Sequence, residues 1–142
     1  MATIERSFFV KASPERVFAF LEDHANDPQW LPGLVNSRNF TGQGTGYQWE
    51  WTFKMAGFSF DGTGQILEHE PPRRHVVETR GGMTSTWAWT LAPEGDGTRA
   101  SLRLDYTVPV AILGKLAEKL LLGQNEKSAD QATANLQRIL GS

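Results

Sequence analysis

The stretch YQWEWTFKM, residues 47–55, places a large apolar side chain at every second position. Those positions are Tyr47, Trp49, Trp51, Phe53 and Met55. Because successive side chains of a strand point to opposite faces, this pattern predicts a strand with one buried and one solvated face. The stretch STWAWTL, residues 85–91, repeats the pattern with Trp87, Trp89 and Leu91. Four of the five tryptophans therefore lie on predicted strands, where they either fill a core or line a cavity.

Strand and turn patterns continue outward from this stretch, from residue 34 to residue 108, and one further strand opens the chain. The additional strand segments read TIERSFFVKAS, LVNSRNFTG, FSFDGTGQILEHE, RHVVETR and TRASLRLDYTV. The connections between them carry turn-forming residues, as in GQGTG, EPPRR and PEGDGT. They are too short to hold crossover helices, so neighbouring strands should pair antiparallel. The sequence predicts about seven strands.

Helical patterns stand near both ends of the chain. In SPERVFAFLEDH, Ser13 is a suitable N-cap and Pro14 a suitable first helical residue, followed by an apolar stripe. The stretch NDPQWLPG predicts a second short helical turn, with Asp27 as its cap and Trp30 and Leu31 facing inward. A long final helix is predicted over roughly residues 111–140. Its apolar face is interrupted in the middle by Gln124, Asn125 and Ser128.

Length and composition narrow the class of protein. The 142 residues suit one domain, and 14 basic against 16 acidic residues argue against a nucleic-acid binder. The absence of cysteine rules out disulfides and thiolate ligands and fits a reducing compartment. The N-terminal residues do not read as a signal peptide, and charged residues interrupt the apolar run near the C-terminus. We expect a cytoplasmic protein without stable membrane insertion, of unknown oligomeric state.

Several motifs, in this order, resemble one known family. They are ASPERVFAFLEDHANDPQWLPG, GTGYQWEW, ILEHEPPRRHVVE, STWAWTLAPEGDGTRASLRLDY and the terminal helix. The chain resembles the polyketide cyclase/dehydrase-like branch of the START and pollen-allergen (SRPBCC) superfamily over nearly its whole length. The resemblance implies a single α+β domain, residues 1–142, with the helix-grip fold. In that fold a curved antiparallel sheet wraps around the C-terminal helix, two short helices follow the first strand, and a cavity lies between sheet and helix.

The cavity that the resemblance implies gives the first functional hypothesis, a soluble binding protein or carrier for a small hydrophobic or aromatic molecule. Candidate ligands are a polyketide-like aromatic, an isoprenoid or a lipid. Concave ligand sites are mostly apolar with a few polar groups, which favours the aromatic strand positions and the mid-helix polar residues as the lining. The predicted ligand-binding residues are Trp30, Trp49, Trp51, Phe53, Phe60, Trp87, Trp89, Tyr106, Gln124 and Ser128.

Each of these residues also has a structural interpretation. The strand aromatics could be close-packed core, and Trp30 could be a plug rather than a gate at the cavity mouth. Polar residues of the final helix usually mark its solvated face; one that faces inward needs a partner. Tyr106 could offer its hydroxyl to the cavity or anchor the sheet to the helix.

The alternative hypothesis is an enzyme, a cyclase, aromatase or dehydratase acting on a polyketide-type chain. Such chemistry needs a positioned proton donor and base, and the sequence places no such pair together. An enzyme should show a buried ionisable group with a shifted pKa in the cavity wall, whereas a carrier should have a wall of apolar and neutral groups. A third, weaker hypothesis is an interaction or chaperone-like module.

Metal binding is not expected, and nothing in the sequence indicates a cofactor. His24, His69 and His75 lack helical ligand spacing, and the motif G-x-G-x-G at residues 42–46 precedes a strand rather than a helix. His69 and His75 flank the EPPRR turn, so the sequence predicts solvated side chains at both positions.

Overall fold

The computed structural model describes residues 2–55, 57–81, 84–107 and 118–141. Its strands are β1 (Ala2–Val10), β2 (Leu34–Thr41), β3 (Gln48–Met55), β4 (Phe58–Glu70), β5 (Arg74–Gly81), β6 (Thr84–Glu94) and β7 (Gly97–Thr107). Its helices are α1 (Pro14–Glu22), a 3-10 turn (His24–Asn26), α2 (Asp27–Trp30) and α3 (Glu118–Leu140). Residues 111–117 of the predicted final helix lie outside the described residues.

The seven strands form one sheet in the order β1-β7-β6-β5-β4-β3-β2, and every neighbouring pair is antiparallel. Strands β2 to β7 follow one another as hairpins, and β1 pairs with β7 at the far edge. This arrangement confirms the predicted architecture. It follows from short, turn-rich connections, which leave consecutive strands no other neighbour to pair with.

The first helix begins as its sequence predicts. Ser13 Oγ accepts a hydrogen bond from the backbone N–H of Arg16 at 3.2 Å, and Val17, Phe18 and Leu21 are buried. The prediction that Asp27 caps the second helix is wrong. Helix α2 starts at Asp27 itself, with Asn26 at the N-cap position, and the buried carboxylate of Asp27 contacts a histidine instead of the helix backbone.

Helix α3 lies across the sheet and is held there at several points. Ala132, Leu136 and Leu140 are buried in the main hydrophobic core, which they share with α1, β1 and β7. On the polar side, Arg6 of β1 pairs with Glu126 and, at 2.8 Å, with Asp130. These contacts fix the helix against one half of the sheet.

A second, smaller cluster of buried residues lies on the other half of the sheet. It consists of Trp49, Trp51, Ile66 and Val77, with Trp87 and Phe53 packed against it. The two clusters adjoin each other through Trp87, which packs against both, and members of both border the space between the sheet and α3. That space is where the helix-grip resemblance implies a cavity.

Candidate functional site

A cavity of about 150 Å³ lies between the inner face of the sheet, the short helices and α3. Its wall is mostly apolar and includes the indole rings of all five tryptophans of the chain. The short helices contribute Leu21 and Leu31 to the wall, and α3 contributes residues such as Ala129 and Leu136.

Most of the residues predicted to bind a ligand line this cavity. They are Trp30, Trp49, Trp51, Phe53, Trp87, Trp89, Tyr106 and Ser128. Phe60 is not among the lining residues. It pairs with Phe53 across β3 and β4, stacks on Phe58 and packs at the margin of the smaller cluster. The side chain of Gln124 lies outside the described residues. Contact of any of these residues with a ligand stays a prediction.

Two glycines of β4 allow the tryptophans of β3 to lie flat in the wall. Trp49 is paired with Gly64 and Trp51 with Gly62. A Cβ on Gly64 would stand 2.4 Å from Trp49 Cε2, and one on Gly62 would stand 2.2 Å from Trp51 Cζ2. Because no side chain could share that space, the segment DGTG of β4 makes room for both rings.

Trp30 closes the side of the cavity next to the short helices. It is 3% exposed and meets Trp87 and Trp89 edge to face, with ring centroids 6.1 and 6.0 Å apart. Edge-to-face contacts of this kind favour a fixed ring orientation. Trp87 is oriented further by Ser85, whose Oγ accepts a hydrogen bond from Trp87 Nε1 at 2.9 Å.

A chain of three buried polar side chains reaches the cavity wall, and the sequence did not predict it. His24 Nδ1 lies 2.7 Å from Asp27 Oδ2, and His24 Nε2 lies 3.1 Å from His75 Nε2. The consistent assignment is that His24 donates to the carboxylate and accepts from the N–H of His75. His24 also stacks on Trp49, with ring centroids 3.8 Å apart. Asp27 and His24 line the cavity, and His75 lies behind them.

Burial shifts the pKa values of Asp27 and His75. It raises the pKa of Asp27 above its ordinary value of 3.8, against the influence of His24, which lowers it. Burial also lowers the pKa of His75 from 6.5 to about 3, and the neighbouring His24 and His69 act in the same direction. The cavity wall therefore contains a carboxyl group with a shifted pKa, the feature expected of an enzyme rather than of a simple carrier.

The prediction that His75 is solvated is wrong. His75 is 1% exposed and contacts Phe18 of α1 edge to face, whereas the side chain of His69 is 22% exposed. The physical reason is strand register, because His75 pairs with the buried Trp89 and points to the same inner face. The sequence could have indicated this, because His75 stands two residues before the buried Val77 in RHVVETR, and residues two apart in a strand point to the same face.

Three buried polar atoms of the cavity residues have no hydrogen-bond partner. They are Asp27 Oδ1, Trp30 Nε1 and Trp51 Nε1. The N–H of Trp30 faces Asp27 closely enough to lower the pKa of that carboxyl group, but it falls short of hydrogen-bond geometry. Unpaired buried donors and acceptors are uncommon in folded proteins.

The helix side of the cavity offers neutral polar groups. Tyr106 Oη accepts a hydrogen bond from Asn125 Nδ2 at 3.2 Å, and burial raises the pKa of Tyr106. Asn125 and Ser128 of α3 line the cavity, so two of the three polar residues that interrupt the helix face it. The hydroxyl of Tyr106 thus both joins sheet to helix and contributes to the wall.

Within the described part of the chain, no three histidine, aspartate or glutamate side chains are grouped so as to hold a metal ion. The expectation that the protein binds no metal stays a prediction. In the same residues, no helix has the length and apolar character needed to cross a membrane.

The sheet, the long helix and the cavity between them define a protein of the START-like, helix-grip class. The chain belongs to the family described as "Polyketide cyclase / dehydrase and lipid transport", whose model matches residues 1–141. Family and fold together are those of ligand-binding helix-grip proteins, as the resemblance implied. No curated protein matches the sequence.

Solved structures with low sequence identity share the fold. TTHA0849 from Thermus thermophilus has a TM-score of 0.82 at 21% identity, over 96% of this chain and 95% of that chain. A START superfamily protein from Mycobacterium smegmatis has a TM-score of 0.79 at 14% identity, over 97% and 96%. The di-domain ARO/CYC StfQ from the steffimycin biosynthetic pathway has a TM-score of 0.74 at 14% identity, over 97% of this chain and 50% of that one.

Proposed function

We propose that this protein binds one small hydrophobic or aromatic molecule in the cavity between sheet and α3, as a binding protein or carrier of the cytoplasm. The observation that carries the proposal is the cavity wall of tryptophan rings, in which Trp49, Trp51 and Trp89 are each at most 5% exposed. Rings this well buried around a cavity offer an apolar ligand a site that is already desolvated and already ordered.

The volume of the cavity limits the ligand. Typical pockets for drug-sized molecules measure at least about 300 Å³, whereas an engineered cavity of about 150 Å³ is known to hold benzene. The cavity here measures about 150 Å³. Among the candidates that the sequence left open, a single aromatic ring or a short isoprenoid fits this space better than a multi-ring polyketide or a long-chain lipid.

Native mass spectrometry of the protein purified from its own host tests this proposal. We expect a complex with one small molecule per chain, and loss of that complex in Ser128→Leu, which fills the cavity from α3. The matched control is Ala134→Leu, which adds the same side chain at an exposed position of the same helix. Equal retention of the molecule by both variants would place it outside the cavity.

A second candidate function, an enzyme of the cyclase, aromatase or dehydratase type, is favoured by one observation. The Asp27–His24 pair lines the cavity, and a carboxyl group with a raised pKa next to an imidazole has the properties of a general acid or base. In this function Asp27 exchanges a proton with the bound molecule, and His24, backed by His75, holds the carboxylate in position.

The two candidates differ in what an Asp27→Asn variant retains. If the protein is an enzyme, the variant purified from the host should hold an unconverted precursor, with a mass different from that of the molecule held by the parent protein. If it is a carrier, both should hold the same molecule. Mass spectrometry of the released ligands decides between these results.

A further inference from the structure

We propose that the contact between His24 and His75 is an acid-sensitive switch: protonation of the pair releases residues 24–30 from the sheet and opens the cavity on the side of Trp30. Residues 24–30 comprise the 3-10 turn and α2 and are called the short-helix segment below. The inference goes beyond the proposed function, because release of the segment can be measured without any ligand.

The histidine contact attaches one wall of the cavity to the sheet. His24, Asp27 and Trp30 of the short-helix segment all line the cavity. His24 Nε2 lies 3.1 Å from His75 Nε2 of β5, and in the described part of the chain this is the one side-chain hydrogen bond that joins the segment to the sheet. The bond from His24 Nδ1 to Asp27 stays within the segment. Loss of the histidine contact would leave His24 attached to the sheet by its stacking on Trp49.

The two rings cannot take up another proton without leaving a buried N–H group unpaired. His24 donates from Nδ1 to Asp27 and accepts at Nε2 from the N–H of His75. A proton added to His24 Nε2 would set two N–H groups against each other, unless His75 moved its own proton to Nδ1. In that case, or if the added proton itself went to His75 Nδ1, the new N–H would have no acceptor, because this buried atom has no partner. Each arrangement costs free energy that solvation of the rings would recover.

The surroundings of His75 do not offset a positive charge. Phe18 of α1 and His69 of β4 lie on its other sides, with ring centroids 5.5 and 6.2 Å from that of His75. Among the described residues, no carboxylate is paired with His75, which is 1% exposed. Burial and the neighbouring His24 and His69 lower its pKa to about 3, in agreement with this geometry.

The other titratable groups near the pair face away from His75 or act against the switch. Asp23 accepts a hydrogen bond from the backbone N–H of Ala25 at 3.2 Å, and Glu22 of α1 is paired with His69 at 3.5 Å. Tyr47 of β3 lies on the far side of His24, with ring centroids 6.4 Å apart. Asp27 opposes the switch, because burial raises its pKa and so favours the closed segment in acid. Every variant proposed below therefore keeps Asp27.

Release of the short-helix segment is the local way to solvate His75. His75 itself lies in β5, which pairs with β4 on one side and β6 on the other. The segment that covers it consists of a three-residue turn and a four-residue helix. Short elements with few backbone hydrogen bonds open at a lower free energy than central strands do. Because Trp30 belongs to the same segment, its release would also remove this ring from the cavity wall.

Hydrogen exchange of the ligand-free protein at pH 7 and pH 5, read by mass spectrometry and corrected for the intrinsic exchange rates, tests the proposal. We expect the opening of residues 24–30 to rise in acid, while peptides of β7 (Gly97–Thr107) stay protected. In His75→Phe, which keeps a ring that cannot be protonated, this rise should be at least about tenfold smaller than in the parent protein. Should His75→Phe not fold, His75→Gln makes the same test. His69→Phe is the matched control and should retain most of the response, because His69 pairs with Glu22 and not with the segment.

Toluene, a single-ring probe of the cavity, tests whether release of the segment opens a route for a ligand. Its rate of dissociation, measured by NMR exchange, should rise between pH 7 and pH 5 in the parent protein and in His69→Phe, but much less in His75→Phe.

The results separate the switch from the proposed function. The switch is refuted if the segment opens equally at both pH values, if His75→Phe responds as the parent protein does, or if β7 opens along with the segment. It is also refuted if the segment opens in acid while toluene dissociates at an unchanged rate. If the segment responds as expected but toluene does not bind at either pH, the proposed function fails and the acid-driven release of the segment stands.

Discussion

Trp49 lies flat against the backbone of Gly64, so closely that a Cβ on the glycine would stand 2.4 Å from ring carbon Cε2. Trp51 and Gly62 repeat the relationship two residues away. The wall of the cavity on this side is therefore a pair of indole rings resting on two glycines. Both strands contribute to this wall: β3 supplies the two tryptophan rings, and β4 supplies the two glycines, whose lack of a side chain leaves space for them.

Gly64→Ala should destabilise the protein, by about 1–3 kcal/mol as for other overpacked interiors, and should push Trp49 toward the cavity. Toluene binding should weaken as well. Gly123→Ala is the matched control, since nothing lies within 4 Å of a Cβ at that helical position. It should stabilise the protein by about 0.5–1 kcal/mol. Chemical denaturation of both variants checks the prediction, and equal effects of the two substitutions would contradict it.

Alanine substitutions of the four strand tryptophans should divide into two classes. Trp89 is 3% exposed and packs in the main core against Phe8 and Trp30, so its loss should cost about 3–5 kcal/mol of stability. Trp87 is only partly buried, so Trp87→Ala should cost clearly less stability and should mainly weaken toluene binding. Thermal melts and titrations of the Trp49, Trp51, Trp87 and Trp89 variants measure both effects. Uniform, large destabilisation without probe binding by the parent protein would identify the rings as core alone.

Ser128→Leu should keep the fold and fill the cavity. Ser128 is partly buried on α3 and lines the cavity, so a leucine there has apolar surroundings and occupies the space of a ligand. We expect a melting temperature near or above that of the parent protein and a loss of toluene affinity of at least about tenfold. Ala134→Leu should leave the affinity unchanged. Toluene binding by Ser128→Leu at parental strength would show that the cavity is not the binding site.

The burial of His75 should make stability depend on pH. Its pKa is about 3 in the folded protein against an ordinary value of 6.5, so the unfolded chain binds an extra proton between these values. The contribution of His75 to stability should therefore be fully present above about pH 6.5. Through this group the free energy of unfolding should fall by up to about 1.4 kcal/mol per pH unit as the pH drops toward 3. Asp27 acts in the opposite direction, since its raised pKa favours the folded state at low pH.

His75→Gln isolates the contribution of this histidine, because Asp27 is present in both proteins. The variant should lose less stability than the parent protein between pH 7 and pH 4. His69→Gln, at a more exposed position, should retain most of the parental slope. Thermal melts across this pH range provide the measurement. A slope in His75→Gln as steep as that of the parent protein would assign the pH dependence to other groups.

The fold was predictable because its signals are local. The alternation in YQWEWTFKM and STWAWTL, the turn residues between strands and the Ser13–Pro14 helix start each act over a few residues, and all are present in the structure. The tryptophan wall followed from the same alternation. The alternation did not show which aromatic residues border the cavity, because Phe60 has the same alternating position but lies at the margin of the smaller cluster.

The polar part of the site was not predictable from local patterns. His24 and His75 are 51 residues apart and meet only because α1 and the short turn after it fold over β5. A polar residue near a turn is usually solvated, so His75 was expected in water, and Asp27 had the sequence position of a helix cap. Both side chains are buried instead. The Asp27 carboxylate pairs with the buried imidazole of His24, which offsets part of the cost of removing a charged group from water.

An isotope-filtered NOE spectrum of the labelled protein with saturating toluene shows whether the tryptophan-lined cavity holds a single-ring ligand. We expect contacts from toluene to the indole protons of Trp49, Trp51 and Trp89, because these rings form the wall of the cavity. The same contacts should disappear in Ser128→Leu. Saturating toluene that shows no contact with these three rings would mean that the cavity does not bind such a ligand.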